Sequence, residues 1–267
     1  MFTERNHVVS SGSIDGRPMI FVHGFGCNQS MWNQIVPAFT PDHRVVTYDL
    51  MGMGQSDIST YDVQRYSDLE AHADDLIAIC DELALENAIV VGHSIGASIG
   101  LLAANRAPAH ISKLIMVSPT PSFLNDPDNG YHGGFARSDI DELIAFLDEN
   151  HLGWSKHMAP TITGQPAGAP ATEEMTQSFC QTDPVIAQHF GHVTFFADRR
   201  ADFGHARCPS LILHCDDDML VPLQVADWMR EHVPGTTLQI LHASGHAPHM
   251  TAPNDVISAM RPYLAQC

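Results

Sequence analysis

The alternation of short apolar runs with helical patterns is the feature that most constrains the fold of this 267-residue chain. Six runs are apolar at consecutive positions, as expected of strands that are covered on both faces. They are PMIFVHG (18–24), RVVTYDL (44–50), AIVVGHS (88–94), KLIMVSP (113–119), SLILHCD (210–216) and TLQILHA (237–243). Helical patterns lie between them, so the sequence predicts an α/β fold with a mostly parallel, doubly wound sheet.

One region departs from this alternation. Core helices are predicted at 67–83, 95–106, 222–232 and 254–264, where apolar residues recur at helical spacing. Between 121 and 197 no strand is indicated. Instead there are four helical pieces, at 138–150, 152–162, 171–181 and 184–196, separated by Gly and Pro. We therefore predict a core made of residues 1–120 and 198–267 and a helical cap made of residues 121–197, called the cap segment below.

The charge of the chain excludes several classes of partner. The formal net charge is −18. Binding to nucleic acid needs clustered Lys and Arg, and anionic membranes also attract basic segments, so neither is expected as a partner. No apolar run is long enough to span a membrane. We expect a monomer, with a small molecule as the ligand.

The termini and the cysteines bear on location and on metals. The first residues, MFTERNHVVSSGS, lack the apolar segment of a secretory signal. The six cysteines are scattered with no CxxC pair, which favours reduced thiols and a cytoplasmic protein. The seventeen histidines show no HExxH-like spacing. The sequence therefore predicts no metal site, and no cofactor is required by its motifs.

The stretch VVGHSIGA (90–97) carries the clearest chemical signal. A G-x-S-x-G motif between a strand and a helix is typical of a nucleophile elbow, in which a strained turn exposes the serine hydroxyl. The pattern predicts Ser94 as the nucleophile. It also puts the backbone N–H of Ile95 at a helix N-terminus, where it can stabilise an oxyanion. HGFG (23–26) follows another buried strand, and the N–H of Phe25 is the predicted second oxyanion donor.

A serine nucleophile needs a base, and the base needs an acid that orients it. In folds with this elbow the acid and then the histidine follow the serine along the chain. HCDDDMLVP (214–222) offers Asp216, Asp217 and Asp218, and SGHAPHM (244–250) offers His246 and His249. The tight turn expected at Gly245 favours His246, whereas the acid stays open among the three aspartates.

Two further polar residues lie near these motifs. Neighbouring residues of a strand point to opposite sides, so His93 is expected to pack near Ser94 rather than act as its base. Asp49, at the end of the second run, is expected to hold the loop DLMGMGQS (49–56).

Together HGFG, GHSIG (92–96) and GHAPH (245–249) resemble the α/β-hydrolase superfamily over nearly the whole chain. Longer strings resemble the RsbQ-like group of bacterial stress-response regulators, which is related to the plant karrikin and strigolactone receptors. These strings are FVHGFGCNQSMW (21–32), FLNDPDNGYHGGF (123–135), SFCQTDPVIA (178–187) and FFADRR (195–200). The resemblance implies a four-helix, V-shaped cap over a deep apolar pocket.

The resemblance also assigns site residues. In such proteins the catalytic Asp stands four residues before the Pro of the D-x-x-V-P string, which here is Asp218. It likewise implies His246 as the catalytic base and Phe25 and Ile95 as oxyanion donors. The pocket residues that it implies are Phe25, His93, Phe123, Phe135, Trp154, Phe190 and Phe195.

Two functions follow as predictions. The first is a serine hydrolase of small, largely apolar carboxylic esters or lactones, working through an acyl-enzyme. The alternative is a stress-signalling sensor of the RsbQ-like kind, which binds or slowly hydrolyses a small apolar ligand and activates a partner phosphatase. A haloalkane dehalogenase is disfavoured because it would need an Asp in place of Ser94.

Overall fold

A single mixed sheet organises the computed structural model, which describes residues 1–266. The strands are β1 (Val9–Gly12), β2 (Arg17–Val22), β3 (His43–Thr47), β4 (Ala88–His93), β5 (Ile111–Val117), β6 (Ser210–Asp217) and β7 (Thr236–Ser244). Their order across the sheet is β1-β3-β2-β4-β5-β6-β7. All neighbours pair in parallel except β1, which is antiparallel to β3. The predicted α/β class and mostly parallel sheet are confirmed.

Helices connect the strands, as a parallel sheet requires. They are α1 (Phe2–Arg5), α2 (Glu70–Glu82), α3 (Ile95–Arg106), α4 (Arg137–Glu149), α5 (His151–Thr163), α6 (Pro170–Gln181), α7 (Pro184–Phe195), α8 (Arg200–Gly204), α9 (Leu223–His232), α10 (Pro248–Thr251) and α11 (Pro253–Leu264). All the helices that were predicted from hydrophobic periodicity are present in the structure. The short α1, α8 and α10 span too few residues to show a helical period.

The sheet edges differ from the sequence prediction. Strand β1 was missed, because its sequence VSSG has no apolar run and all four residues are exposed. Its pairing with β3 holds it in place. Strand β7 was expected to be covered on both faces, which is wrong. It is an edge strand in which exposed and half-buried residues largely alternate, with Leu241 its one buried member.

The centre of the sheet positions the site. Every residue of β4 is buried, and so are ten of the twelve residues of the following helix α3. Strand β4 lies between β2 and β5, so its carboxyl end meets the carboxyl ends of those strands. Ligands of open α/β sheets bind in the crevice at this edge.

Four helices of the cap segment, α4 to α7, lie between β5 and β6, and each begins and ends within one residue of its predicted bounds. Helix α5 packs on α6, and α4 packs on α7. Their ends follow from local chemistry. The Asn150 side chain accepts the N–H of Gly153 at the start of α5, and Gly164 ends that helix in a left-handed conformation with φ 64°. Asp183 accepts the N–H groups of Val185 and Ile186 at the start of α7.

Candidate active site

Ser94 lies in a strained turn between β4 and α3. Its backbone has φ 52° and ψ −120°, a region that side chains with a Cβ rarely adopt. The two flanking glycines allow the turn because they have no Cβ, so the backbone of neighbouring segments can lie close to them. A Cβ at Gly92 would lie 2.5 Å from the carbonyl oxygen of Gly96, and one at Gly96 would lie 2.5 Å from that of Val22. The G-x-S-x-G spacing therefore lets helix α3 begin directly against the ends of β4 and β2.

Ser94, His246 and Asp218 form a chain of hydrogen bonds. The Ser94 hydroxyl donates to Nε2 of His246 at 2.8 Å, and the N–H of Nδ1 of His246 donates to Oδ2 of Asp218 at 2.7 Å. This direction follows because an ionised carboxylate only accepts. The side chains of His246 and Asp218 are 3% and 0% exposed. The hydroxyl and the imidazole are thus within the reach that a nucleophile and its general base require.

The three aspartates after β6 have different partners. Oδ2 of Asp216 accepts from His242 at 2.7 Å, and Oδ2 of Asp217 accepts from the Ser244 hydroxyl at 2.8 Å. Both of these aspartates are exposed. Only Asp218 bonds to His246. Its other oxygen, Oδ1, accepts the N–H groups of Leu220 and Val221 at 2.9 and 3.0 Å.

The environment of Asp218 favours its ionised form. Burial alone raises the pKa of this carboxyl, but the charge of His246, the hydrogen bond from its ring and the N–H of Val221 outweigh burial, so the pKa of Asp218 lies below its usual value. A buried carboxylate that accepts three N–H bonds is the arrangement expected for a residue that orients a histidine and stabilises its protonated form.

The backbone N–H and the backbone carbonyl oxygen of His246 both form hydrogen bonds. Its N–H donates to the carbonyl oxygen of Ile162, near the end of α5, at 2.6 Å. Its carbonyl oxygen accepts the Nε2–H of His93 at 2.8 Å. Burial, with a smaller contribution from the nearby His246, lowers the pKa of His93 to about 3, so this donor is a neutral imidazole. His93 thus contacts the His246 backbone and makes no hydrogen bond with Ser94.

His249, the other candidate base, lies away from this chain of hydrogen bonds. It is fully buried, with its ring 4.5 Å from Trp32 and 4.4 Å from His93 between centroids. Neither ring nitrogen has a hydrogen-bond partner within residues 1–266, and burial lowers its pKa well below the usual value. It packs behind the site as a neutral ring.

The HGFG loop is fixed by its own histidine. Nδ1–H of His23 donates to the carbonyl oxygen of Gly24 at 2.9 Å, and Nε2 accepts the N–H of Leu50 at 2.9 Å. Burial lowers the pKa of His23, in keeping with a ring nitrogen that accepts. The loop carries Phe25 beside Ser94 in the wall of one cavity. Ile95 is the first residue of α3, so the helical ladder leaves its N–H unused.

Asp49 braces the adjacent loop. Its carboxylate is buried and accepts the N–H groups of Gln29 and Gln55 at 2.8 and 2.9 Å. It is therefore a structural group of the loop that follows β3.

A small apolar cavity covers Ser94. Its volume is about 30 Å³. Its walls are Phe25, Cys27, His93, Ser94, Phe123, Ile162, Met175, Phe179, Thr194, Phe195, Leu220 and His246. Four of the seven predicted pocket residues are among them, namely Phe25, His93, Phe123 and Phe195.

The other three predicted pocket residues lie one layer further out. The rings of Trp154 and Phe190 have centroids 5.7 and 5.9 Å from that of Phe25, and Phe135 packs against Phe123 at 6.2 Å. Sequence reasoning missed Cys27, Ile162, Met175, Phe179, Thr194 and Leu220. Helical periodicity marks the buried residues of α5 to α7 but does not tell a cavity wall from a packed core.

Within residues 1–266, no helix combines the length and apolar composition needed to cross a membrane. In the same part of the chain, no three or more His, Cys, Asp or Glu side chains cluster in a way that could hold a metal ion.

Comparison with known proteins identifies the family. The model of the Alpha/beta hydrolase family matches residues 19–259. The chain belongs to this family. The resemblance inferred from HGFG, GHSIG and GHAPH is thereby confirmed, and so is the expectation of a hydrolase at the level of the family.

Two curated relatives of this α/β-hydrolase act in plants. It is 37% identical to the strigolactone esterase RMS3 of Pisum sativum, over 93% of this chain and 92% of the relative. It is 33% identical to the karrikin insensitive 2 receptor IA of Petunia hybrida, over 97% and 93% of the two chains. A solved structure of a hydrolase from Oleispira antarctica superposes with a TM-score of 0.95 at 33% identity, covering 100% of this chain and 97% of the other. The predicted kinship with the karrikin and strigolactone receptors is confirmed.

Proposed function

We propose that this α/β-hydrolase cleaves small, largely apolar carboxylic esters or lactones through an acyl-enzyme on Ser94. The observation that carries the proposal is the buried chain of hydrogen bonds from Ser94 through His246 to Asp218, which opens on an apolar cavity. The names of relatives support the same chemistry, since several are esterases.

Each residue has a role in the proposed reaction. Oγ of Ser94 attacks the ester carbonyl carbon while Nε2 of His246 takes the hydroxyl proton. The N–H groups of Phe25 and Ile95 stabilise the oxyanion, a contribution of about 3–4 kcal/mol for each such donor. His246 then gives its proton to the leaving alkoxide, and the acyl group stays on Ser94. In the second half His246 deprotonates a water, which attacks the acyl carbon; the bond between that carbon and Oγ of Ser94 then breaks, His246 returns the proton to Oγ, and the acid is released. Asp218 holds the ring orientation throughout.

The cap segment supports an apolar, enclosed site. Half of the twelve lining residues come from it, and the others come from the core. We propose that residues 121–197 act as a cap that keeps bulk water from the acyl-enzyme and selects apolar groups. The small free volume favours short substituents, and larger ligands require the phenylalanine and methionine side chains of the wall to move.

Turnover of a short aryl ester tests the proposal. Purified protein and Ser94→Ala are mixed with 4-nitrophenyl acetate, and the nitrophenol released is followed with time. We expect sustained release by the wild type and none above the solvent rate by Ser94→Ala. Equal rates in the two proteins would refute the role of Ser94.

Ligand sensing is the second candidate, favoured by the similarity to a karrikin receptor and by the small apolar cavity over Ser94. In that case the first assay gives one burst of about one nitrophenol per Ser94 and then little more, because the acyl-enzyme is hydrolysed slowly. A protein partner, such as the phosphatase expected from the RsbQ-like resemblance, would then be sought by ligand-dependent co-purification.

A further inference from the structure

Among the buried Ser and Thr side chains in the helices of residues 1–266, Thr194 alone has a hydroxyl without a hydrogen-bond partner. Thr and Ser side chains inside helices commonly donate to the carbonyl oxygen four residues earlier. Ser155, Thr163 and Thr176 do so here, at 2.7, 2.8 and 2.7 Å. Thr194, in α7, does not. It is 2% exposed, and its Oγ1 has no hydrogen-bond partner within residues 1–266.

Thr194 lies in the wall of the cavity over Ser94, next to Phe195, and its Oγ1 is buried within that wall. Most of the wall is apolar, Cys27 contributes a buried thiol that is only a weak hydrogen-bonding group, and the other polar side chains, Ser94, His246 and His93, are engaged or blocked. Ser94 and His246 bond to each other. The unpartnered Nδ1 of His93 is packed against the main chain of Gly24, where a Cβ would lie 2.6 Å away.

An unpartnered buried hydroxyl is costly, whereas a ligand atom that bonds to it recovers that cost on binding. We infer that the Thr194 hydroxyl is a specificity contact, and that the site prefers small apolar esters or lactones that carry one further oxygen, such as an ether or keto group. This inference rests on the proposed function, because it assigns the substrate class of the same site. Ether and keto oxygens only accept hydrogen bonds, so the Thr194 hydroxyl would be the donor to either of them.

Pairs of isosteric esters test the preference. The first pair is 4-nitrophenyl butanoate and methoxyacetate, and the second is 4-nitrophenyl pentanoate and 3-methoxypropanoate. The third, butyl acetate and 2-methoxyethyl acetate, puts the extra oxygen on the alcohol side. For each pair the ratio of kcat/KM is measured in wild type and in Thr194→Val, which replaces the hydroxyl by a methyl of similar size. Differences in intrinsic reactivity cancel when the two proteins are compared.

The preference for the oxygen-containing ester is expected to fall about three- to tenfold in Thr194→Val for at least one pair, the effect of one neutral hydrogen bond. Thr176→Val is the matched control, since its hydroxyl lies outside the cavity and already bonds within α6. It should leave all three ratios unchanged. A change below threefold for every pair in Thr194→Val overturns the inference.

Thermal stability separates the inference from an internal role of the hydroxyl. Because the Thr194 hydroxyl has no partner to lose in the part of the chain that the structure describes, Thr194→Val should keep or raise Tm, whereas Thr176→Val should lower it. A lower Tm in Thr194→Val with unchanged ratios would mean that the hydroxyl bonds to its own helix, and would also overturn the inference.

Failure of the proposed function is distinguishable. If wild type and Ser94→Ala hydrolyse the esters equally fast above the solvent rate, the proposed reaction is wrong and the kcat/KM ratios still test the contact. If both release nitrophenol only at the solvent rate, the proposed reaction is also wrong and the esters stay intact during a binding measurement. Binding then still tests the contact. The Kd of each aryl ester is measured by tryptophan fluorescence for the single variant Ser94→Ala and for the double variant that also carries Thr194→Val. The ratio of Kd values should shift by the same three- to tenfold, and an unshifted ratio rejects Thr194 as a ligand contact.

Discussion

Replacing His93 tests whether the backbone of His246, the proposed general base, must be held for activity. In His93→Leu the carbonyl oxygen of His246 loses its donor at 2.8 Å and remains buried. An unsatisfied buried carbonyl costs about 1–3 kcal/mol. If His246 moves to find another partner, its Nε2 leaves the 2.8 Å contact with Ser94. A loss of that size in transition-state stabilisation lowers kcat roughly five- to 150-fold.

His93→Gln is the matched control. The carboxamide nitrogen of Gln can occupy the place of Nε2 and donate to the same carbonyl. We expect it to restore most of the activity lost in His93→Leu, although both variants remove the imidazole ring that packs on His249 at 4.4 Å. The difference between the two variants therefore isolates the hydrogen bond from the packing.

The assay is the steady-state hydrolysis of 4-nitrophenyl acetate, together with the rate at which a fluorophosphonate labels Ser94. A positioning role predicts a lower kcat and slower labelling in His93→Leu with little change in KM. The reasoning is refuted if folded His93→Leu labels and turns over within twofold of wild type. It is equally refuted if His93→Gln and His93→Leu are impaired to the same extent.

Two further predictions concern titratable groups. Asp218→Asn should lower kcat for 4-nitrophenyl acetate by on the order of 10³–10⁴-fold, because a carboxamide favours the wrong tautomer of His246. Asp216→Asn is the control: its partner is the exposed His242, so its kcat in the same assay should stay within a few-fold of wild type. His72 is buried against Phe190 with both nitrogens unpartnered within residues 1–266, and burial above all lowers its pKa to about 3. As the pH drops below about 6.5, His72 is protonated in the unfolded state but not in the folded state. The free energy of unfolding therefore falls, and at pH 5 this group accounts for a loss of ~2 kcal/mol relative to neutral or higher pH. Urea unfolding at pH 8 and pH 5 measures this loss. Between the two pH values the free energy of unfolding of His72→Phe should fall by less than that of wild type, with a difference of that amount. An equal fall in the two proteins would show that His72 is not the group responsible.

The elbow and the helices could be predicted because their signals are local. The turn at Ser94 needs a glycine two residues before and two residues after it, because a side chain at Gly92 or Gly96 would collide with the backbone. This fixed spacing of residue types can be recognised directly in the sequence. The bounds of α4 to α7 were predictable for the same reason, since apolar periodicity and capping residues are properties of neighbouring positions.

The remaining features depend on tertiary contacts. Strand β1 is polar and exposed, and it is defined by its pairing with β3. The cavity wall was predicted in part, because aromatic residues of the cap segment are buried whether they face the ligand or support those that do. Thr194 carried no sequence signal, since a threonine in an apolar helix is ordinary until its missing partner is seen.

The choice among the three aspartates shows why a motif alone left the acid open. Asp216 and Asp217 belong to β6, where the register is irregular between Cys215 and Asp217. Asp217 pairs with Ser244 of β7, and the side chain of Asp216 bonds to His242 of the same strand. Asp218 is the first residue beyond the strand, where the N–H groups of Leu220 and Val221 turn its carboxylate inward. One residue of register thus decides which carboxylate is buried, and neither composition nor spacing reports that register.

His246 is consequently positioned by the fold as a whole rather than by the residues around it in sequence. Asp218 follows β6 and orients the ring, His93 ends β4 and holds the carbonyl, and Ile162 lies in α5 and accepts the N–H. Ile162 contributes twice, because its side chain also lines the cavity. The same segment that supplies half of the cavity wall therefore also holds the backbone of His246, so we expect a functional site only where core and cap segment fold together.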